Sequence, residues 1–126
     1  MKWRNRILKY NVVNTNNKRY IMFNELESKI HSEADMLDII SACFESGINS
    51  VMIDGRIVAD ELYDLKTKLF GTFLQKIINY KIKVVFIINE ERTMNDRFKE
   101  LALELNKGHD IRFYNNTEDA QEWLLR

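Results

Sequence analysis

Residues 82 to 88, I-K-V-V-F-I-I, constrain this fold more than any other stretch. Val84 to Ile88 is the longest apolar run in the chain. It shows no alternation of apolar and polar residues, which marks a strand covered on both faces, parallel to its neighbours and central in a sheet. Five apolar residues cannot span a bilayer. Parallel strands need crossover connections, usually helices, so helices are expected on either side of this run.

The flanking segments meet that expectation. Leu65, Leu69, Phe70, Phe73, Leu74, Ile77 and Ile78 form a broad apolar stripe at helical spacing, and Asp64 stands where it would cap the helix. Gly71 lies inside this helix, and its expected use is a close approach to another backbone. Asn95 to Lys107 reads as a helix with Phe98, Leu101, Ala102 and Leu105 on one side and Gly108 as its stop. Ser32 caps an earlier helix over 33–46, whose stripe is Met36, Leu37, Ile40, Cys43 and Phe44 and whose left-handed stop is Gly47. Short strands are expected at Ser50 to Ile53 and Ile111 to Tyr114, and Thr117 caps a terminal helix with Ala120, Trp123 and Leu124. Arg6 to Val13 and Lys18 to Asn24 are β-rich and joined by N-T-N-N, so the chain opens with an antiparallel hairpin.

The order is β-β-α-β-α-β-α-β-α in a single α/β domain spanning residues 1–126. Strands alternating with single helices give a largely parallel sheet, with the N-terminal hairpin as its antiparallel element. A single layer of helices would leave one sheet face uncovered, which makes a homodimer a candidate unless the terminal helix covers it.

Charge narrows the classes of function. The chain has 19 basic and 19 acidic residues, so no bulk field favours nucleic acid. The first 24 residues carry Lys2, Arg4, Arg6, Lys9, Lys18 and Arg19 without an acid, whereas residues 25 to 66 hold ten acids against three bases. Trp3 could stack a base beside Arg4 and Arg6, but strand alternation places it on the opposite face from both. Nucleic acid is therefore not the expected partner. The start lacks the apolar stretch of a secretory signal, and the lone Cys43 cannot form an internal disulfide, so a cytoplasmic protein with no membrane association is expected.

Familiar catalytic patterns are absent from the sequence. The glycines stand apart at 47, 55, 71 and 108, which excludes the clustered glycines of a phosphate loop. His31 and His109 are isolated in loops, so neither a metal site nor a cofactor is expected. Cys43 falls on an apolar helix face and reads as a small buried hydrophobe. Asp60 and Asp64, one turn apart, read as solvated or capping carboxylates.

The run E-L-Y-D-L-K-T-K-L-F-G-T-F-L-Q-K-I-I-N-Y resembles the bacterial domain-of-unknown-function family 4180. Members of that family typically read F-F-D-L-x-T-G-L-A-G-E-x-L-Q-K-F-x-N-Y before an apolar strand. Asp64, Leu65, Thr67, Leu69, Gly71, Leu74, Gln75, Lys76, Asn79 and Tyr80 match, whereas Lys68 replaces a glycine. The later run E-L-N-K-G-H-D-I-R-F-Y with its E-D-A-Q-E-W-L ending resembles the same family. In element order the chain is similar to STAS domains of anti-sigma-factor antagonists, where a D-S-S-G-L-like motif opens the helix after the third strand and is phosphorylated by a partner kinase. The resemblance implies Thr67 as the equivalent hydroxyl.

Two readings of function follow. The first is a non-enzymatic, STAS-like interaction module that binds an unidentified protein partner through residues 54 to 68 and the following helix, with Asp64, Lys66, Thr67 and Lys68 as partner-binding or phosphorylation candidates. Gln75, Lys76, Asn79 and Tyr80 belong either to that surface or to structural capping of the helix end. The second is an enzyme or small-ligand protein that uses the crevice at the carboxyl ends of the parallel strands, lined by Asp54, Gly55, Asn89 and Glu90.

Overall fold

The computed structural model describes residues 8–89 and 94–126. Strands β1 (Asn11–Thr15) and β2 (Lys18–Phe23) form the opening antiparallel hairpin. Its two-residue turn has Asn16 at φ 52° and Asn17 at φ 67°, a left-handed pair whose twist suits a hairpin and which asparagine tolerates well. The first strand thus begins later than expected, and Trp3, Arg4 and Arg6 lie outside the described residues.

Helix α1 (Glu33–Ser46) has the expected bounds. Ser32 accepts from the Asp35 N–H at 3.3 Å, and the buried Asp35 carboxylate accepts from the Ser32 and His31 N–H groups. This reciprocal capping box satisfies donors that the first helical turn leaves open. Gly47 closes the helix at φ 73°. The inward face is rotated from the expected one: Ile39 and Ala42 join Met36, Ile40 and Cys43 in the core, while Leu37 and Phe44 point to solvent. Apolar residues flank the Met36–Ile40–Cys43 line on both sides, and packing against the sheet selects one flank. Burial pushes the Cys43 thiol up to about 11, so it persists as a neutral core group.

Strand β3 (Ser50–Asp54) leads into a segment more broken than the single helix expected from Asp64. A 3-10 turn at Gly55–Ile57, a one-turn helix α2 (Asp60–Tyr63) and a second 3-10 turn at Leu65–Thr67 precede helix α3 (Leu69–Asn79). Asp64 caps the second 3-10 turn instead of α3. The end of α3 is a Schellman arrangement in which Lys81 N–H donates to Ile78 O and Ile82 N–H to Ile77 O, with Lys81 left-handed at φ 58°. Gly71 makes no close backbone approach, since a Cβ there would meet nothing within 4 Å.

Strand β4 (Lys83–Ile87), helix α4 (Asp96–Leu105), strand β5 (Ile111–Tyr114) and helix α5 (Thr117–Leu124) complete the domain. Asn95 and Asn116 are the N-caps of α4 and α5, so the cap expected at Thr117 sits one residue earlier. Helix α4 ends at Leu105, before Gly108, with Asn106 as a C-cap that stays right-handed and turns its side chain to β5. That side chain accepts from Phe113 N–H at 2.8 Å and donates to Phe113 O at 3.2 Å, as a neighbouring strand would.

The sheet order is β1-β2-β3-β4-β5, antiparallel at the hairpin and parallel from β2 to β5. Each parallel strand lies beside the previous one, so right-handed crossovers place α1, α3 and α4 on one face. Ile21, Phe23, Val51, Ile53, Val84, Phe86, Ile111 and Phe113 face that layer. Phe70 of α3 and Phe98 of α4 meet Phe113 and Phe86 there, with the last two stacked at 5.1 Å. On the opposite face, Tyr20, Met52 and Val85 pack under Ala120, Trp123 and Leu124 of α5. The terminal helix thus covers the second face over β3, β4 and β5, the alternative to dimerisation expected above.

Candidate functional site

At the carboxyl end of β3, Asp54 is committed to its own turn. Its carboxylate accepts from Arg56 N–H at 2.9 Å and from the Arg56 guanidinium, closest at 2.8 Å. Burial opposes ionisation of Asp54, but the Arg56 side chain, backbone N–H and charge together outweigh it and hold the carboxyl below its ordinary range. Gly55 is wedged against the end of β4: an added Cβ would lie 2.5 Å from Ile87 O and 2.6 Å from Ile88 Cδ1. Tyr63 closes the same corner, donating to Gly55 O at 3.2 Å while packing edge-on against Phe98.

The structure therefore brings Asp54 and Gly55 against the Ile87–Ile88 end of β4, with exposed Asn89 following, and fills the corner with protein. Glu90 lies outside the described residues. A surface depression of about 360 Å³ lies further along this edge, lined by Ile88, Phe113, Tyr114 and Asn115. Another, of about 460 Å³, runs between the second 3-10 turn and α4, lined by Leu65, Lys66, Arg97, Glu100, Leu101 and Glu104. Among the described residues, no group of three or more histidines, cysteines or acids is placed to hold a metal ion.

The 64–68 turn is organised by short-range bonds. Asp64 accepts from Lys66 N–H at 3.0 Å, repeating the Asp54–Arg56 turn in miniature. The Thr67 hydroxyl is directed at Glu61 O (2.7 Å) and Asp64 O (2.9 Å) and accepts from Leu69 N–H at 3.2 Å. Thr67 is exposed, so a modifying group could approach it, but esterification would remove the proton that serves those two carbonyls. Lys68 then takes a left-handed conformation at φ 65°, ψ 4° as α3 begins.

Along the junction of α1 and α3 lies a ridge that the sequence did not single out. Leu37 and Phe44 are seven residues apart on one face of α1, and they are 50% and 73% exposed. Tyr80, 47% exposed at the end of α3, meets Phe44 edge-on with ring centres 5.8 Å apart. Lys76 reaches Glu33 of α1 at 4.0 Å. Gln75 and Asn79 are exposed on α3. Two of the four motif residues, Lys76 and Tyr80, thus bridge the helices.

The family model described as Domain of unknown function (DUF4180) matches residues 15–124. The chain belongs to this family. No curated protein and no solved structure matches it. Within this DUF4180 chain the departure at position 68 now has a physical meaning. Glycine adopts the left-handed conformation freely, whereas the Cβ of Lys68 makes it costly. The N-K-G run of the DUF4180 ending likewise contains Asn106, whose side chain pairs with β5. Its signal was an asparagine at a helix end without a glycine immediately after it.

Proposed function

We propose that this DUF4180 chain is a non-enzymatic protein-interaction module of the reducing cytoplasm, and that it docks a protein partner on the α1–α3 ridge with the 64–68 turn at one end. The observation that carries this reading is the exposed apolar group Leu37, Phe44 and Tyr80, bordered by Glu33 and Lys76. Large apolar side chains gathered on a surface mark interaction sites more often than chance exposure does. The tied-up Asp54 carboxylate and the plugged corner at Gly55 favour this reading over a ligand crevice. The STAS-like resemblance supports a regulatory role for Thr67, where a phosphate would add about −1.5 to −2 charge beside Lys66 and Lys68 and break the turn's hydroxyl bonds.

Among the described residues no helix is long and apolar enough to cross a membrane. The test is retention from native lysate on wild-type, Phe44→Glu and Thr67→Glu baits, with solution mass measured in parallel. A partner or second copy held by wild type and released by Phe44→Glu is the expected result. Equal retention by wild type and Phe44→Glu would refute docking on this ridge.

A further inference from the structure

Lys83 is the one charged residue in the otherwise apolar 82–88 run. Alternation turns it toward the face covered by α5, where its Nζ donates to Trp123 O at 2.8 Å and stands 4.5 Å from the centre of the Trp123 ring. Arg112 of β5 shares that face. It pairs with Val85, which makes it the diagonal neighbour of Lys83 on the adjacent strand. The Arg112 guanidinium lies 5.0 Å from the same ring centre, and two bonds fix its orientation: Nε to Gly108 O at 2.9 Å and Nη1 to the Tyr114 hydroxyl at 3.1 Å. Trp123 is buried, so both cations rest on a rigid platform.

Capping of α5 explains part of this cluster. The helix has no basic residue in its last turn, and Lys83 and Lys18 supply cations to its final carbonyls, Lys18 through Leu125 O at 2.8 Å. Capping leaves unexplained why Arg112 lies beside Lys83 and why Arg126 joins them, its backbone N–H donating at 3.3 Å to the same Trp123 carbonyl that Lys83 holds. Burial lowers the Lys83 pKa, and Arg126 and Arg112 lower it further; no acid acts in the opposite direction. Among the described residues, none of these three cations forms an ion pair with a carboxylate. The site therefore carries positive charge that helix carbonyls offset only in part.

We propose that Lys83, Arg112 and Arg126 form a binding site for a small phosphate-type oxyanion at the Trp123 end of α5. The fork of Arg112 retains N–H donors that Gly108 and Tyr114 do not use, and a guanidinium held in place loses little freedom on binding an oxyanion. The ligand is small because Glu118 and Asp119 in the first turn of α5 would repel a polyanion laid along the helix.

A Trp3→Phe background leaves Trp123 as the sole tryptophan and reporter. Inorganic phosphate is titrated against chloride at matched ionic strength, with a thymidine oligonucleotide as a third arm. The expected result is a saturable change in Trp123 emission with phosphate alone, weakened about tenfold by Arg112→Gln and by Arg126→Gln. Arg126 is exposed beyond the last helix, so its variant keeps the test valid if Arg112→Gln disturbs folding. Matching responses to chloride and phosphate, a phosphate response unchanged in Arg126→Gln, or binding of the oligonucleotide without phosphate would each overturn the assignment.

Discussion

Gly55→Ala is the substitution whose cost follows most directly from the structure. The new Cβ would stand 2.5 Å from Ile87 O and 2.6 Å from Ile88 Cδ1. An ordinary carbon–oxygen contact is about 3.3 Å or longer, so the shortfall against Ile87 O is roughly 0.8 Å. The Ile88 methyl can rotate away, since that side chain is only half-buried. The Ile87 carbonyl cannot, because it belongs to an interior strand paired with Asp54 on one side and Tyr114 on the other. The 55–57 turn must lift instead, and lifting it strains the bond from Tyr63 to Gly55 O.

Overpacking of this kind costs about 1–3 kcal/mol, and a lost neutral hydrogen bond adds about 1 kcal/mol. The stiffer alanine returns at most about 1 kcal/mol through the unfolded chain. A net loss of about 1–4 kcal/mol is expected, which for a chain of this size lowers Tm by roughly 3–16 °C. Urea titration followed by circular dichroism measures it. If the alteration stays within about 0.5 kcal/mol of wild type, the turn is not wedged against β4, and the corner has room that this account denies. A Tyr63→Phe variant supplies the internal check. Because both changes act on the same bond, the double variant should lose less than the two single losses added together.

Four further outcomes follow from the same geometry. Gly71→Ala, at a helical position open to solvent, should stabilise the domain by about 1 kcal/mol in the same titration; destabilisation would mean that something packs there. Lys68→Gly should also stabilise, by about 1 kcal/mol, because the left-handed strain disappears while the exposed side chain contributes little; no change would remove strain as the meaning of the family glycine. Asn106→Ala deletes both bonds to Phe113 and should cost about 1–3 kcal/mol, with faster amide exchange at Phe113 as the local readout. Asp54 titrates below its unfolded value, so its contribution is present above about pH 4 and fades as pH falls through the lower folded value. The stability gap between wild type and Asp54→Asn should therefore close on acidification, and a constant gap from pH 7 to pH 2 would contradict the Arg56 assignment.

Strong periodicity made the element order legible. The unbroken run at Val84 to Ile88 identified the interior parallel strand, and the Ser32 cap with Gly47 bounded α1 at both ends. Where the signal was a conformation instead of a pattern, the reading went astray. Lys68 and Lys81 occupy left-handed positions that glycine usually marks, so neither the start nor the end of α3 carried its usual punctuation. The 54–68 segment folds as two Asp-capped 3-10 turns around one turn of helix, and such short units have no period to detect. On α1, apolar residues on both flanks of the stripe left the inward side to be chosen by the sheet. That choice exposed Phe44 and created the ridge. For the site, residue chemistry singled out Asp54, Gly55 and Thr67, while only the fold reveals that Asp54 and Thr67 spend their polar atoms on local turns.

The carboxyl ends of parallel strands are where an open α/β sheet usually takes a ligand. Here the β3 corner of that edge is occupied by Gly55, Tyr63 and the Asp54–Arg56 turn, which shifts interest to the outer helix surfaces. The α1–α3 ridge can be tested without disturbing that corner. Phe44 is 73% exposed, so Phe44→Glu removes little buried area and should lower Tm by a few degrees at most. Its rim contact with Tyr80 contributes only about 0.5–1.5 kcal/mol beyond burial, and Tyr80→Ala provides the matching measurement of how much of that is retained. Loss of a bound partner with Tm within those few degrees would separate an interface from a packing defect. A larger fall in Tm alongside that loss would place Phe44 among the groups that hold α1 to α3, and the ridge would then be part of the fold's own architecture.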